Sequence, residues 1–147
     1  MVDYKNNFFR EVKERLKDRC NYDIYRDDKP TYIAFKAATG TEVSVVVTTK
    51  FNPKNTVRIQ MPSIYCIKEP QSHILTESER EAVEKHLGVM LTDESGKPKP
   101  AESAHNDSEY KYYRLMFPFN NDPMDVVDNV ANTLVEIFNT IEEMSRK

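Results

Sequence analysis

The chain has 147 residues, 39% hydrophobic and 31% charged, with a formal net charge of −3. A chain of this length is expected to form one domain with room for a core. Its charge exerts no overall pull toward polyanions or anionic membranes. No apolar run approaches the roughly 20 residues that a membrane-spanning helix needs.

The first stretch, Asp3 to Arg19, reads as an amphipathic helix capped by Asp3, with Phe8, Phe9, Val12 and Leu16 as its apolar stripe. It is a charged helix rather than a signal peptide, so the expected compartment is the cytoplasm. The two cysteines, Cys20 and Cys66, stand far apart and without metal spacing, and read as free thiols. Strands follow. Tyr22 to Arg26 is short, and Asp27-Asp28-Lys29-Pro30 turns the chain. Tyr32 to Ala37 and Glu42 to Thr49 form a hairpin through Thr39-Gly40-Thr41. After the turn Asn52-Pro53-Lys54-Asn55, Thr56 to Met61 alternates, with Val57, Ile59 and Met61 toward the core and Arg58 and Gln60 away from it.

Thr76-Glu77-Ser78-Glu79 carries the signature of a capping box, which predicts a helix that ends at Gly88. Val89 to Leu91 is a short strand candidate. The tract from about 92 to 108 is polar, contains Gly96, Pro98 and Pro100, and is expected to be a flexible loop. Tyr110 to Phe119 is the last strand, with Tyr113, Leu115 and Phe117 on one face. Asp122 caps the terminal helix, and Pro123 fits its first position. Val127, Val130, Ala131, Leu134, Ile137, Phe138 and Ile141 form a stripe on that helix. Its other side, with Asp125, Asp128, Asn132, Glu136, Asn139 and Glu143, should face water.

The order of these elements predicts an α+β domain over 1–147. It is a single twisted antiparallel sheet of about five to six strands, with an N-terminal helix, a middle helix and a long C-terminal helix packed on it.

Catalytic signatures are sparse. His73, His86 and His105 show no metal spacing, no nucleophile elbow occurs, and none of the three glycines builds a phosphate loop. No catalytic, metal-ligating or cofactor-binding residue is assigned, and the chain reads as non-enzymatic. Glu109-Tyr110-Lys111 has the glutamate-x-lysine spacing of metal-dependent nucleases, which keeps that class as a third reading. Basic residues are interleaved with aromatics on the strands, and an exposed sheet of this kind can stack bases and hold phosphates. Arg58, Tyr110, Tyr112 and Arg114 are the candidate nucleic-acid-binding residues, with Lys111 on the opposite face of its strand.

Taken with Phe8 to Leu16, Tyr32-Ile33-Ala34-Phe35, the Thr39-Gly40-Thr41 hairpin, Val57-Arg58-Ile59 and Glu81 to Gly88, the chain resembles an uncharacterised prokaryotic domain. That domain is often found C-terminal to nuclease-like domains in restriction and defence proteins. The tryptophans common in such domains are absent here. In topology the chain is also similar to secretion-chaperone-like proteins. The resemblance implies an accessory interaction module of a defence or nucleic-acid-processing system. A protein partner is expected, nucleic acid is the alternative, neither membrane nor cofactor is called for, and self-association is left open.

Overall fold

In the structure, a computed structural model, residues 3–49, 55–63, 71–91 and 112–146 are described. Helix α1 (Phe8–Leu16) leads into strands β1 (Asp23–Arg26), β2 (Tyr32–Lys36), β3 (Glu42–Thr48) and β4 (Thr56–Pro62). Helix α2 (Glu77–Leu87), strand β5 (Tyr112–Pro118) and helix α3 (Val127–Ser145) complete the order. The strands form one antiparallel sheet in the order β1-β2-β3-β4-β5, each paired with the next strand in sequence, with α2 inserted between β4 and β5. The α+β architecture expected from the pattern is therefore present, with five strands.

Alternation decides which side of the sheet is apolar. Ile33, Phe35, Val43, Val45, Val47, Val57, Ile59, Met61 and Tyr113 point to one face and are buried. The stripe of α3 lies over them: Val130, Leu134, Ile137, Phe138 and Ile141 have no exposed surface. Helix α1 adds Phe8, Phe9, Val12 and Leu16, and α2 adds Val83, so strands and helices share one core. Phe35 and Phe138 meet edge to face with ring centroids 5.8 Å apart, and Tyr22 stacks on Phe138 at 5.6 Å.

The polar side of α3 is exposed as expected, but it also carries lateral ties. Arg15 Nε donates to Asp128 Oδ1 at 2.7 Å, and Arg19 donates to Asn132 at 2.9 Å, joining α1 to α3. His86 Nε2 pairs with Glu136 Oε2 and joins α2 to α3.

Several element boundaries differ from the sequence expectation. Helix α1 ends at Leu16 rather than Arg19. Helix α3 begins at Val127, without a side-chain cap, because Asp122 and Pro123 start a separate tight turn. Helix α1 starts at Phe8, and its cap is Asn7 rather than Asp3. Asp3 instead closes a separate turn by accepting from Lys5 N–H at 2.8 Å, while Tyr4 N–H bonds Pro30 O at 2.8 Å. Tyr4 is thereby pinned to the turn before β2, and the chain must bend before the helix can begin. Val89 to Leu91 does not form a strand. Gly88 takes the left-handed conformation (φ 69°) and ends α2. Leu91 N–H then donates to Glu84 Oε2 at 2.8 Å, which spends that donor on the helix instead of on a neighbouring strand.

The capping box forms as its signature requires. Thr76 Oγ1 accepts from Glu79 N–H at 3.1 Å, and Glu79 Oε1 accepts from Thr76 N–H at 3.0 Å. Glu79 does more than cap. Its buried carboxylate also accepts from the Thr39 hydroxyl at 3.0 Å and the Thr41 hydroxyl at 3.2 Å, tying the β2–β3 turn to the start of α2. Asp122 caps the turn Pro123–Val126 by accepting from Met124 N–H at 2.9 Å, and α3 continues from it.

Candidate binding surface on the sheet

Because the three α-helices pack on one face of the sheet, the side chains that alternate with the core residues stand on the other. Register places them in rows across the strands. One row runs Arg26–Ala34–Ser44–Gln60–Arg114 through all five strands. Ala34 and Ser44 are small, so the middle of this row is low. The rows on either side contain Tyr32–Val46–Arg58–Met116 and Lys36–Glu42, with Pro62–Tyr112 in line. Larger side chains around a low centre make a trough with a cavity of about 500 Å³. Ala34, Glu42 and Ser44 are its buried floor, and Tyr25, Arg26, Tyr32, Tyr112 and Arg114 stand around it.

The position of Arg26 depends on a β-bulge. Ile24 pairs with Phe35 and Arg26 pairs with Ala34, so Tyr25 is an extra residue in β1. Plain alternation would put Arg26 on the core side with Ile24. The slip of one residue turns it to the trough. There its Nη1 donates to the Tyr32 hydroxyl at 3.2 Å, an interaction that raises the guanidinium pKa above its ordinary value. Tyr25 gathers cations beside it: Lys36 Nζ lies 4.4 Å and Arg26 Cζ 5.4 Å from its ring centroid. At the β5 end, Arg114 Nε donates to Gln60 Oε1 at 2.6 Å. Ser44 Oγ lies 3.4 Å from Glu42 Oε2.

Two of the four sequence candidates, Tyr112 and Arg114, therefore line the trough. Arg58 shares their face but is only 7% exposed, with Nε donating to Thr56 Oγ1 at 3.1 Å. Tyr110 lies outside the described residues, as do Lys111, Cys66 and the polar tract at 92–108. Sequence periodicity passes over Tyr25 and Arg26. The signal that points to them is the pairing of β1 with β2 across the Asp27–Pro30 turn, which brings Arg26 beside Tyr32. The described charged residues on this face of the strands are Arg26, Lys36, Arg58 and Arg114 with Asp23 and Glu42, and Asp28 acts on Arg26 from the turn that follows β1.

Elsewhere the ionisable groups serve the fold. Burial raises the Tyr113 phenol pKa above its ordinary value, and the adjacent Glu77, which accepts from Tyr113 at 3.2 Å, adds to the effect. Among the described residues, no three His, Cys, Asp or Glu side chains converge as a metal ligand set would, and no helix is long and apolar enough to cross a membrane.

Burial also pushes the Cys20 thiol up to about 11. At pH 8.5 it should hold far less thiolate than a free cysteine. In a Cys66→Ser background, Cys20 is expected to react with iodoacetamide roughly tenfold or more slower than a cysteine peptide, and to match the peptide in urea. An ordinary rate in the folded protein would contradict this reading.

Comparison with family models, with curated proteins and with solved structures found no match for this chain.

Proposed function

We propose that this chain is a non-enzymatic interaction module that holds its partner on the face of the sheet opposite the helices. The observation that carries the reading is the trough itself. Its floor of three small or polar side chains is ringed by tyrosines and arginines on three strands of the sheet, β1, β2 and β5. A binding constellation on sheet strands is held more firmly than one on loops, because cross-strand hydrogen bonds fix each side chain's base. The arginines are braced in advance, Arg26 by Tyr32 and Arg114 by Gln60, which lowers the ordering cost of binding. An accessory role in a prokaryotic defence or nucleic-acid-processing system, in the cytoplasm, follows from the resemblance described above.

The test is position-specific crosslinking. A photoreactive residue at Val46, half-buried in the trough, should capture a discrete partner in host cells. The same residue at Asn129, exposed on α3, should not. Digestion of the adduct with nuclease or protease then identifies the partner class. Equal capture from both positions, or none from Val46, would remove the trough as the docking face.

A further inference from the structure

Resting on that reading, we infer that the occupant of the trough is a single-stranded nucleic acid lying along the Arg26–Ala34–Ser44–Gln60–Arg114 row. Charge selects the class of partner. The chain carries a net charge of −3, yet the described strand residues of this face that are not buried include three cations, Arg26, Lys36 and Arg114. On the opposite side, α3 exposes Asp128, Glu136 and Glu143. A polyanion meets a guanidinium group at each end of the trough, Arg26 on β1 and Arg114 on β5.

The aromatics distinguish a nucleic acid from an acidic peptide. Tyr32 and Tyr112 lie on opposite sides of the central row, Tyr32 toward the Arg26 end and Tyr112 toward the Arg114 end. Each end thus pairs one guanidinium with one phenol ring, which matches the alternation of phosphate and base along a strand. Between them the floor offers Ser44, Gln60 and Glu42, which can meet the donors and acceptors of base edges. With these groups on the floor and the guanidinium groups at the rim, the bases face the floor and the backbone runs toward the arginines. Five neighbouring strands place the Cα atoms of Arg26 and Arg114 roughly 19 Å apart, a span of a few nucleotides. A duplex hides its base faces within the stack and cannot use the tyrosines, so the single strand is the form that fits.

The experiment is a fluorescence-anisotropy titration with labelled single-stranded DNA, single-stranded RNA and duplex DNA of about a dozen nucleotides, at low and moderate salt. Single strands should bind, with a log–log salt slope of about −2 if three phosphates are contacted. Arg26→Gln and Tyr32→Ser should each weaken binding roughly tenfold, as the loss of one phosphate contact or one stacked base does. Arg26 is exposed, so its substitution leaves the fold intact and keeps the test clean. Arg146→Gln, at the far end of α3, should change nothing. Absence of binding at low salt, equal affinity in all variants, or preference for duplex would each overturn the inference. A protein adduct at Val46 together with no oligonucleotide binding would overturn the nucleic acid while leaving the docking face standing. Failure of the Val46 crosslink would remove the face itself.

Discussion

Leu134→Ala is expected to destabilise the protein by about 2–5 kcal/mol, the range for a buried leucine truncated in a core that cannot collapse around the gap. Leu134 has no exposed surface and sits midway along α3, the helix that lies on the sheet and carries α1 and α2 on its flanks. Its removal opens space between α3 and the sheet, and the surrounding Val, Ile and Phe side chains are already held by their own neighbours. Urea denaturation followed by circular dichroism would read the change. A loss below about half a kcal/mol would mean that α3 does not form the core described here. A surface control, Asn129→Ala, should fall below that level.

Glu79→Ala should cost about 2–4 kcal/mol, more than the roughly 1 kcal/mol of an ordinary helix cap. The difference comes from what Glu79 serves. Its carboxylate accepts from Thr76 N–H and from the hydroxyls of Thr39 and Thr41, and the residue is only 6% exposed. Alanine would take the acceptor from the buried Thr41 hydroxyl and unmake the tie between turn and helix, while Thr39 and Thr76 are open to water. Thr41→Val tests the mechanism further. In a double-mutant cycle with Glu79→Ala, the combined loss should be clearly smaller than the sum of the single losses, because both substitutions break the same bond. Simple additivity would show that the turn and the helix are not coupled through Glu79. A loss no larger than that of Thr76→Ala would show that the carboxylate acts only as a cap.

The two residues illustrate different degrees of legibility. Leu134 could be read directly, because a period of 3.6 residues puts Val127, Val130, Ala131, Leu134, Phe138 and Ile141 on one side of any helix they form. Only half of Glu79 could be read. The capping box is a relation between Thr76 and Glu79, three residues apart, and local spacing states it in full. The hydroxyls of Thr39 and Thr41 lie 40 and 38 residues upstream, and no pattern near Glu79 announces them.

The binding surface divides in the same way. Alternation in β5 assigned Tyr112 and Arg114 to one side of their strand, and alternation in β4 put Arg58 and Gln60 away from the core; both follow from the two-residue period of an extended chain. Alternation alone could not say that Arg58 is buried while Arg114 lines a cavity, since burial depends on what stands in the neighbouring rows.

The sequence by itself determined the number and kind of most elements, the apolar faces of α1 and α3, the box that starts α2 and the glycine that ends it. Each is set by residues within a few positions of one another, where backbone sterics, side-chain period and capping hydrogen bonds act. Tertiary structure decided the rest. The bulge at Tyr25 exists only in the pairing of β1 with β2, and it reverses the side on which Arg26 emerges. The trough exists because register sets Ala34 beside Ser44 and closes the row with Gln60 and Arg114, residues as many as 80 positions from Ala34 along the chain. Pairing of this kind is fixed by burying one face of every strand under the helices at once, a condition on the whole chain that no local window contains.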